Sequence, residues 1–268
     1  MFYKKILLKE INSSFTDETA TLRIYISDRN ESVSLRPGML VCPGGGYSFT
    51  SPREAEPIAF RFLSEGFNCF ILDYRVNKQY PAPHLDLALA MSYIRKHEKE
   101  FDLIPNSLSI IGFSAGGHLV GSYGYLYKEL AKEIGESESL LRPFSIVMAY
   151  PVVTFQTNTH EETFEIISGN KKEFLDKMDI IKYVDKKYPP TFIWTTLDDA
   201  LVPSNNSLMM EEALKKNNVI HEYKYFESGK HGSSLCNLSV YKKGEITEKM
   251  KDIRDWPSLV ADFIFKLL

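Results

Sequence analysis

A serine flanked by glycines is the most informative candidate for chemistry in this 268-residue sequence. It lies in Gly112-Phe113-Ser114-Ala115-Gly116, between an apolar β-branched run and a segment with helical spacing. A serine nucleophile on a sharp strand-to-helix turn needs small neighbours, because a β-carbon at either glycine would clash with adjacent elements. The Ala115 amide would lie at a helix N-terminus, where an anion is favoured. A helix N-cap flanked by glycines is the non-catalytic alternative.

A run of three glycines, Gly44 to Gly46, directly follows a predicted strand at Met39–Cys42. Such a run lets the chain approach a ligand and turn its amides inward, as an oxyanion formed from an ester carbonyl requires. A loop that merely needs positive φ angles and a phosphate cradle are the two alternatives. Neither of the common nucleotide-binding glycine patterns can be read here, which argues against the cradle.

A serine hydroxyl is a weak nucleophile at neutral pH, so a base and a carboxylate that orients the base are needed. His231 lies between Gly229 and Gly232 in a loop after a predicted strand, where an imidazole can reach the upper edge of the sheet. His118 is predicted to pack, because four residues along the helix it points away from Ser114. Surface or structural roles suffice for the other four histidines, which are His84, His97, His160 and His221.

An acidic pair, Asp198 and Asp199, follows a predicted strand and precedes a turn at Val202-Pro203. This position suits a carboxylate that orients a histidine. The chain order is then Ser114, an aspartate and His231, which is the order of α/β-hydrolases and differs from both common protease orders.

Short apolar runs alternate with helical patterns along most of the chain, which predicts a mostly parallel sheet of eight strands with helices on both faces. The first two strands, with no helix predicted between them, are expected to form an antiparallel hairpin at one edge. The predicted strands are Lys5–Lys9, Leu22–Ser27, Met39–Cys42, Phe67–Tyr74, Ser107–Ile111, Ser145–Tyr150, Thr191–Thr195 and Glu222–Phe226, and the predicted helices are Glu54–Glu65, His84–Lys99, Ala115–Leu130, Asn205–Asn217 and Trp256–Leu268.

The segment 151–190, after the sixth strand, fits this alternation poorly and is interpreted as a short insert or cap. Insertions at strand ends are where α/β proteins place parts that face a substrate. No stretch resembles a linker between domains, so residues 1–268 are expected to form a single domain.

Composition excludes several classes of function. The net charge of −3, without a dense basic cluster, argues against nucleic acid as a partner. The apolar runs are much shorter than the ~20 residues of a membrane span. The three cysteines show no metal-ligand spacing, so no metal site and no cofactor are expected. An odd cysteine count and the absence of a signal-like N-terminus favour the reducing cytoplasm.

Six segments together resemble the α/β-hydrolase fold, specifically the esterase branch of bacterial acetyl esterases, acetylxylan esterase-like proteins and relatives of hormone-sensitive lipase. These segments are Pro43–Tyr47, Arg53–Pro57, Asp73–Arg75, Gly112–His118, Asp198–Pro203 and Gly229–Gly232. One departure is Pro43, where the lipase-like pattern has histidine before the glycines. This departure is expected to alter how the loop is anchored but to leave its amides available.

The resemblance implies a catalytic triad of Ser114 as nucleophile, His231 as base and Asp199 as acid, with Asp198 as the second candidate. It also implies an oxyanion hole formed by the amides of Gly45, Gly46 and Ala115. The implied activity is a serine carboxylesterase acting on short acyl groups, acetyl above all, on small esters such as acetylated xylo-oligosaccharides.

Tyr47 and Tyr150, near the predicted site, are candidates for stacking on a sugar, with packing as the alternative. A small serine peptidase or lipase of the same fold, and a catalytically silent binding module, are the alternative functions. The resemblance also implies a homo-oligomer.

Overall fold

One open sheet organises the chain in the computed structural model, which describes residues 1–29, 32, 35–154 and 160–268. Within these residues eight strands pair in the order β1-β2-β4-β3-β5-β6-β7-β8. The strands are β1 Phe2–Leu7, β2 Thr21–Ile26, β3 Arg36–Cys42, β4 Asn68–Asp73, β5 Leu103–Phe113, β6 Ile146–Ala149, β7 Thr191–Thr196 and β8 His221–Phe226. β2 is antiparallel to both β1 and β4, and the remaining pairs are parallel. The predicted mostly parallel eight-stranded sheet is confirmed.

Helices cover both faces of the sheet. They are α1 Lys9–Asn12, α2 Glu56–Ser64, α3 Ala82–Lys96, α4 Ala115–Ile134, α5 Glu138–Leu141, α6 Glu161–Ser168, α7 Lys172–Lys177, α8 Asn205–Lys216 and α9 Trp256–Leu267, with short 3-10 turns at Pro52–Glu54, Ile180–Lys182 and Glu248–Asp255. Helices α3, α4 and α8 pack on one face, and α2 and α9 pack on the other.

Alternation along the strands divides the apolar core into two layers. In β3, Leu40 contributes to the layer beneath α3 and α4, while its neighbours Met39 and Val41 contribute to the layer beneath α2 and α9. Successive side chains of a strand point to opposite faces, so a strand buried on both faces has a continuous apolar sequence. This is why the central strands were readable as apolar runs.

The edge of the sheet differs from the prediction. β1 and β2 pair antiparallel at the edge, as expected, but the short helix α1 lies between them. The first strand was also placed three residues too late, since Phe2–Lys4 are in the strand and Lys9 is in α1. These first residues of β1 are exposed, so no apolar pattern marks them, and main-chain pairing with β2 decides the register.

The predicted insert between β6 and β7 contains α6, α7 and a 3-10 turn, and it packs against α4. The Tyr188 hydroxyl donates to the Gly121 carbonyl, and the rings of Tyr125 and Tyr183 stack. Residues 155–159, near the start of the insert, lie outside the described residues. Among the helices that the structure describes, not one has the length and apolar character to cross a bilayer.

Candidate active site

Ser114 occupies a strained turn between the end of β5 and the start of α4. Its φ of 53° and ψ of −117° are unusual for a residue with a side chain. A β-carbon at Gly112 would lie 2.0 Å from the Gly116 carbonyl oxygen, and one at Gly116 would lie 2.2 Å from the Cys42 carbonyl oxygen. The steric reason given for the two glycines is therefore confirmed.

The Ser114 hydroxyl heads a hydrogen-bonded chain of three side chains. His231 Nε2 lies 2.8 Å from Ser114 Oγ, and His231 Nδ1 lies 2.6 Å from Asp199 Oδ2. A carboxylate only accepts hydrogen bonds, so Nδ1 carries the proton and Nε2 is free to accept from the serine. The structure thus brings together the three residues predicted as nucleophile, base and acid.

The two candidate aspartates have different partners. The side chain of Asp199 is fully buried, and its Oδ1 accepts from the amides of Leu201 and Val202, so its other oxygen is directed at His231. Asp198 instead accepts from the Ser228 hydroxyl and the Gly229 amide, at the start of the loop that carries His231. Asp199 is therefore the aspartate that bonds to His231, whereas Asp198 bonds to the start of the loop that carries His231.

The glycine run lies beside Ser114 and presents two amides in one direction. The Gly44 carbonyl accepts from the Ser51 amide, and the Gly45 carbonyl accepts from the amides of Ser48 and Phe49. In a trans peptide the N–H points opposite to the carbonyl, so the N–H groups of Gly45 and the next residue, Gly46, point away from this turn. Neither amide donates to an acceptor among the described residues. Gly45 has a φ of +126°, which an L-residue rarely adopts.

The third predicted donor, Ala115, is the first residue of α4, directly after the nucleophile. The first amides of a helix have no partner within the helix and carry the positive end of its dipole. The predicted trio of Gly45, Gly46 and Ala115 therefore borders Ser114 with amides suited to an anion.

Pro43, the departure from the lipase-like pattern, does not leave the loop loose. Its carbonyl accepts from the Tyr74 hydroxyl at 2.7 Å. The Tyr47 hydroxyl is 2.8 Å from His118 Nδ1, and the Tyr47 carbonyl accepts from the Asn77 amide. The loop is thus tied to the chain after β4 and to α4 by two tyrosine hydroxyls and one backbone hydrogen bond.

The predicted sugar-stacking role of Tyr47 and Tyr150 does not fit the structure. Both side chains are buried, at 0% and 1% exposure, and neither lines the cavity at Ser114. Tyr47 packs against His118, and Tyr150 packs edge-on against the His231 ring with centroids 5.2 Å apart. Packing, the alternative considered for these rings, is what the structure shows.

His118 is confirmed as a packing residue. Its Nδ1 faces the Tyr47 hydroxyl and its Nε2 lies 2.9 Å from the Met178 carbonyl, so Nε2 donates and Nδ1 accepts. Burial lowers the pKa of His118 to about 4, outweighing the opposite effects of the Met178 carbonyl and Asp179. The ring is therefore neutral and joins the glycine loop to the insert.

A cavity of about 180 Å³ opens at Ser114 and His231. It is lined by Gly45, Gly46, Ser48, Phe49, Ser51, Arg53, Glu54, Ser114, His160, Glu162, Leu201, His231 and Gly232. This volume is below the range usual for drug-sized ligands. These lining residues provide hydroxyl, imidazole and charged groups together with two larger apolar side chains, Phe49 and Leu201.

Sequence reasoning missed two residues of this cavity. His160 was assigned a surface or structural role, yet its ring faces Gly46, and a β-carbon there would lie 3.4 Å from His160 Cε1. Glu54 was named only as the start of a predicted helix and within a motif, with no role in the site, yet it is a buried carboxylate next to the glycine run. No local signal in the sequence marks either residue, because the fold brings them to Ser114 from separate segments.

Metal-ligating side chains do not cluster in the described ranges: no group of three or more histidines, cysteines, aspartates or glutamates is suited to an ion there. All three cysteines are buried free thiols. Burial raises the pKa of the Cys42 and Cys69 thiols well above the usual range, as expected for core residues.

Comparison with known proteins gives a consistent result. Residues 22–214 match the family model described as BD-FAE. An endo-1,4-beta-xylanase B of Butyrivibrio fibrisolvens is 31% identical over 210 residues, which are 75% of this chain and 33% of that protein. The chain thus spans about a third of the length of this relative.

Solved structures match over nearly the whole chain. The acetyl ester-xyloside bifunctional hydrolase of Caldicellulosiruptor lactoaceticus is 31% identical with a TM-score of 0.83, covering 98% of this chain and 96% of that one. The carboxylesterase Cest-2923 of Lactobacillus plantarum is 26% identical with a TM-score of 0.85, covering 100% and 99%. The expected α/β-hydrolase fold is confirmed.

Proposed function

Because the chain belongs to the BD-FAE family, we propose that it is a serine carboxylesterase that hydrolyses short-chain acyl esters, acetyl esters above all. The observation that carries the proposal is the chain of hydrogen bonds from Ser114 through His231 to Asp199, in which Ser114 and His231 line a small cavity. Similar proteins of known structure include an acetyl ester hydrolase and a carboxylesterase.

In the proposed reaction, Ser114 Oγ attacks the ester carbonyl while His231 Nε2 takes its proton. The carbonyl oxygen becomes an oxyanion that accepts from the amides of Gly45, Gly46 and Ala115. The tetrahedral centre collapses, the C–O bond to the alcohol breaks, and the histidine returns its proton to the leaving oxygen. Water, deprotonated by His231, then attacks the acyl-enzyme, the bond between the acyl carbon and Ser114 Oγ breaks, and Oγ takes the proton back from His231 as the acid leaves. Asp199 holds the imidazole in the required tautomer throughout.

The cavity supports a short acyl group. Its volume of about 180 Å³ admits an acetyl group and part of an alcohol. A chain of eight carbons would need more enclosed apolar surface than Phe49 and Leu201 provide. Burying each additional methylene is worth about 0.8 kcal/mol only where apolar surface receives it.

The polar lining of the cavity supports a substrate whose alcohol carries several hydroxyl groups. Ser48, Ser51, Arg53, His160 and Glu162 line the cavity together with the reacting groups. Their donors and acceptors match the hydroxyls of a sugar better than those of a fatty alcohol. We therefore propose acetylated sugars, xylo-oligosaccharides among them, as the natural substrates.

Turnover of p-nitrophenyl acetate, butyrate and octanoate, measured beside release of acetate from acetylated xylo-oligosaccharides, tests this proposal. We expect kcat/KM to fall from acetate to octanoate and acetate to be released from the oligosaccharide. A clear preference for octanoate would contradict the short-acyl assignment. Hydrolysis of p-nitrophenyl acetate with no acetate released from the oligosaccharide would contradict the sugar assignment alone.

A further inference from the structure

A buried carboxylate, Glu54, connects the glycine run to the loop that carries His231. Glu54 is 3% exposed and lies in the 3-10 turn Pro52–Glu54, just before α2. Its Oε2 accepts from the Gly44 amide at 2.9 Å, and its Oε1 accepts from the Tyr150 hydroxyl at 2.7 Å. Each carboxylate oxygen therefore has its own donor, which satisfies a charge that would otherwise be costly to bury.

Glu54 is separated from the nucleophile by a single glycine. A β-carbon built on Gly44 would lie 2.8 Å from Glu54 Oε2 and 3.1 Å from Ser114 Cβ. No side chain can therefore stand between the carboxylate and the serine. The Gly44 amide that Glu54 holds belongs to the peptide immediately before the one whose N–H is the Gly45 oxyanion donor.

Tyr150 extends the connection to the base. Its hydroxyl accepts from the Ser234 amide at 3.3 Å, three residues after His231, and its ring packs edge-on against the imidazole. Burial first, and the charge of Glu54 second, raise the pKa of the Tyr150 hydroxyl well above its usual range. This hydroxyl therefore stays protonated and donates to Glu54.

We propose that Glu54 is a positioning residue for the oxyanion hole. Through its hydrogen bonds with Gly44 and Tyr150, it fixes the position of the glycine run relative to the loop that carries His231. The inference rests on the proposed function, because it assigns a role within that same site. Charge-assisted hydrogen bonds donated to a buried carboxylate are stronger than neutral ones and restrict the orientation of their donors. Glu54 touches neither the substrate nor the reacting atoms in this account.

Removing the carboxylate should therefore weaken stabilisation of the transition state more than binding of the substrate. Both acylation and deacylation pass through an oxyanion, so kcat falls whichever step limits turnover. In Glu54→Gln one end of the side chain becomes a donor, so it cannot accept from both Gly44 and Tyr150. Direct loss of one oxyanion donor lowers kcat by about 10²–10³, so we expect about a tenfold or greater fall for this indirect change.

The experiment compares Glu54→Gln, Tyr150→Phe and the control Tyr123→Phe. Tyr123 also buries its hydroxyl, which donates to the Leu141 carbonyl at 3.0 Å, and it lines no part of the cavity. For each folded variant, kcat and KM for p-nitrophenyl acetate are measured with the Ki of an alkyl trifluoromethyl ketone. The hemiketal oxygen of this inhibitor mimics the oxyanion.

We expect Glu54→Gln to lower kcat with little change in KM and to weaken the inhibitor by a similar factor. Tyr150→Phe should do the same to a smaller extent, and it decides the question if Glu54→Gln does not fold. Tyr123→Phe should lower only the melting temperature. Folded Glu54→Gln and Tyr150→Phe proteins with kcat and Ki within twofold of wild type would overturn the inference. Activity that survives Ser114→Ala would instead overturn the proposed function.

Discussion

The imidazole Nε2 of His231 lies 2.8 Å from the hydroxyl oxygen of Ser114, a residue 117 positions earlier in the chain. Two loops at the same edge of the sheet produce this approach, one after β5 and one after β8. Because the carboxyl ends of parallel strands meet at one edge, residues far apart in sequence converge there. The predictions below test what each part of this edge contributes.

The first prediction separates the two neighbouring aspartates. Asp199→Asn should lower kcat for p-nitrophenyl acetate by about 10³–10⁴, because an amide at this position permits the wrong tautomer of His231. Asp198→Asn is the matched control. It affects only the hydrogen bonds to Ser228 and Gly229, so its kcat should remain within about tenfold of wild type. Equal losses in the two variants would contradict the assignment of Asp199.

The second prediction concerns the turn that carries the nucleophile. In Gly116→Ala the new β-carbon would lie 2.2 Å from a backbone oxygen, so we expect loss of the folded protein or of Ser114 reactivity. Gly135→Ala, at the end of α4, is the control. Its φ is +73°, but apart from its chain neighbours and its own helix no described residue has an atom within 4 Å of the new carbon, so the change should cost about 1 kcal/mol and retain activity.

Both glycine variants are compared with wild type by their melting temperatures and by kcat for p-nitrophenyl acetate. A Gly116→Ala protein that melted and turned over like wild type would show that the close approach of α4 to the end of β3 is not needed.

The third prediction concerns acid stability. The pKa of His118 is near 6.5 when unfolded and about 4 when folded, so below pH 6.5 the unfolded state binds more protons. Stability should therefore fall as the pH is lowered towards 4, with a slope from this group approaching about 1.4 kcal/mol per pH unit. Burial also lowers the pKa of His84 well below its usual range, which acts in the same direction.

His118→Gln tests this contribution, because its amide can accept from Tyr47 and donate to the Met178 carbonyl without titrating. Urea unfolding between about pH 7 and about pH 5 should show a shallower loss of stability in His118→Gln than in wild type. Parallel curves for the two proteins would contradict the role given to the buried imidazole.

The fourth prediction concerns His160, whose ring faces Gly46 in the cavity. His160→Ala should lower the ratio of acetate release from acetylated xylo-oligosaccharides to p-nitrophenyl acetate turnover by about two- to tenfold, since one hydrogen bond to a sugar hydroxyl is worth about 0.5–1.5 kcal/mol. His97→Ala, which removes an imidazole packed against Tyr93 outside the cavity, should leave the ratio unchanged. An unchanged ratio in His160→Ala would show that the sugar does not contact His160.

Local sequence was sufficient where short-range sterics or strand periodicity decided the structure. The glycines around Ser114 could be interpreted from the sequence because the sharp turn itself requires small residues. The central strands were readable because burial on both faces makes them apolar throughout. His231 and the pair of Asp198 and Asp199 followed from their positions after predicted strands, and the resemblance to α/β-hydrolases selected Asp199 from the pair.

Features that depend on three-dimensional convergence were not readable. Tyr47 and Tyr150 lie near the site in sequence, yet burial makes them packing residues. His160 lies in a polar segment without a motif, and Glu54 lies in a motif that indicates no role for the residue; both reach the cavity only through the fold. The start of β1 was misplaced because its exposed side chains carry no pattern and only pairing with β2 defines it.

The most direct test of the central claim is the intact mass of the protein after treatment with a fluorophosphonate, followed by mapping of the modified peptide. We expect one adduct on wild type, located at Ser114, and none on Ser114→Ala. Absence of an adduct on wild type, or an adduct that persists in Ser114→Ala, would contradict Ser114 as the nucleophile.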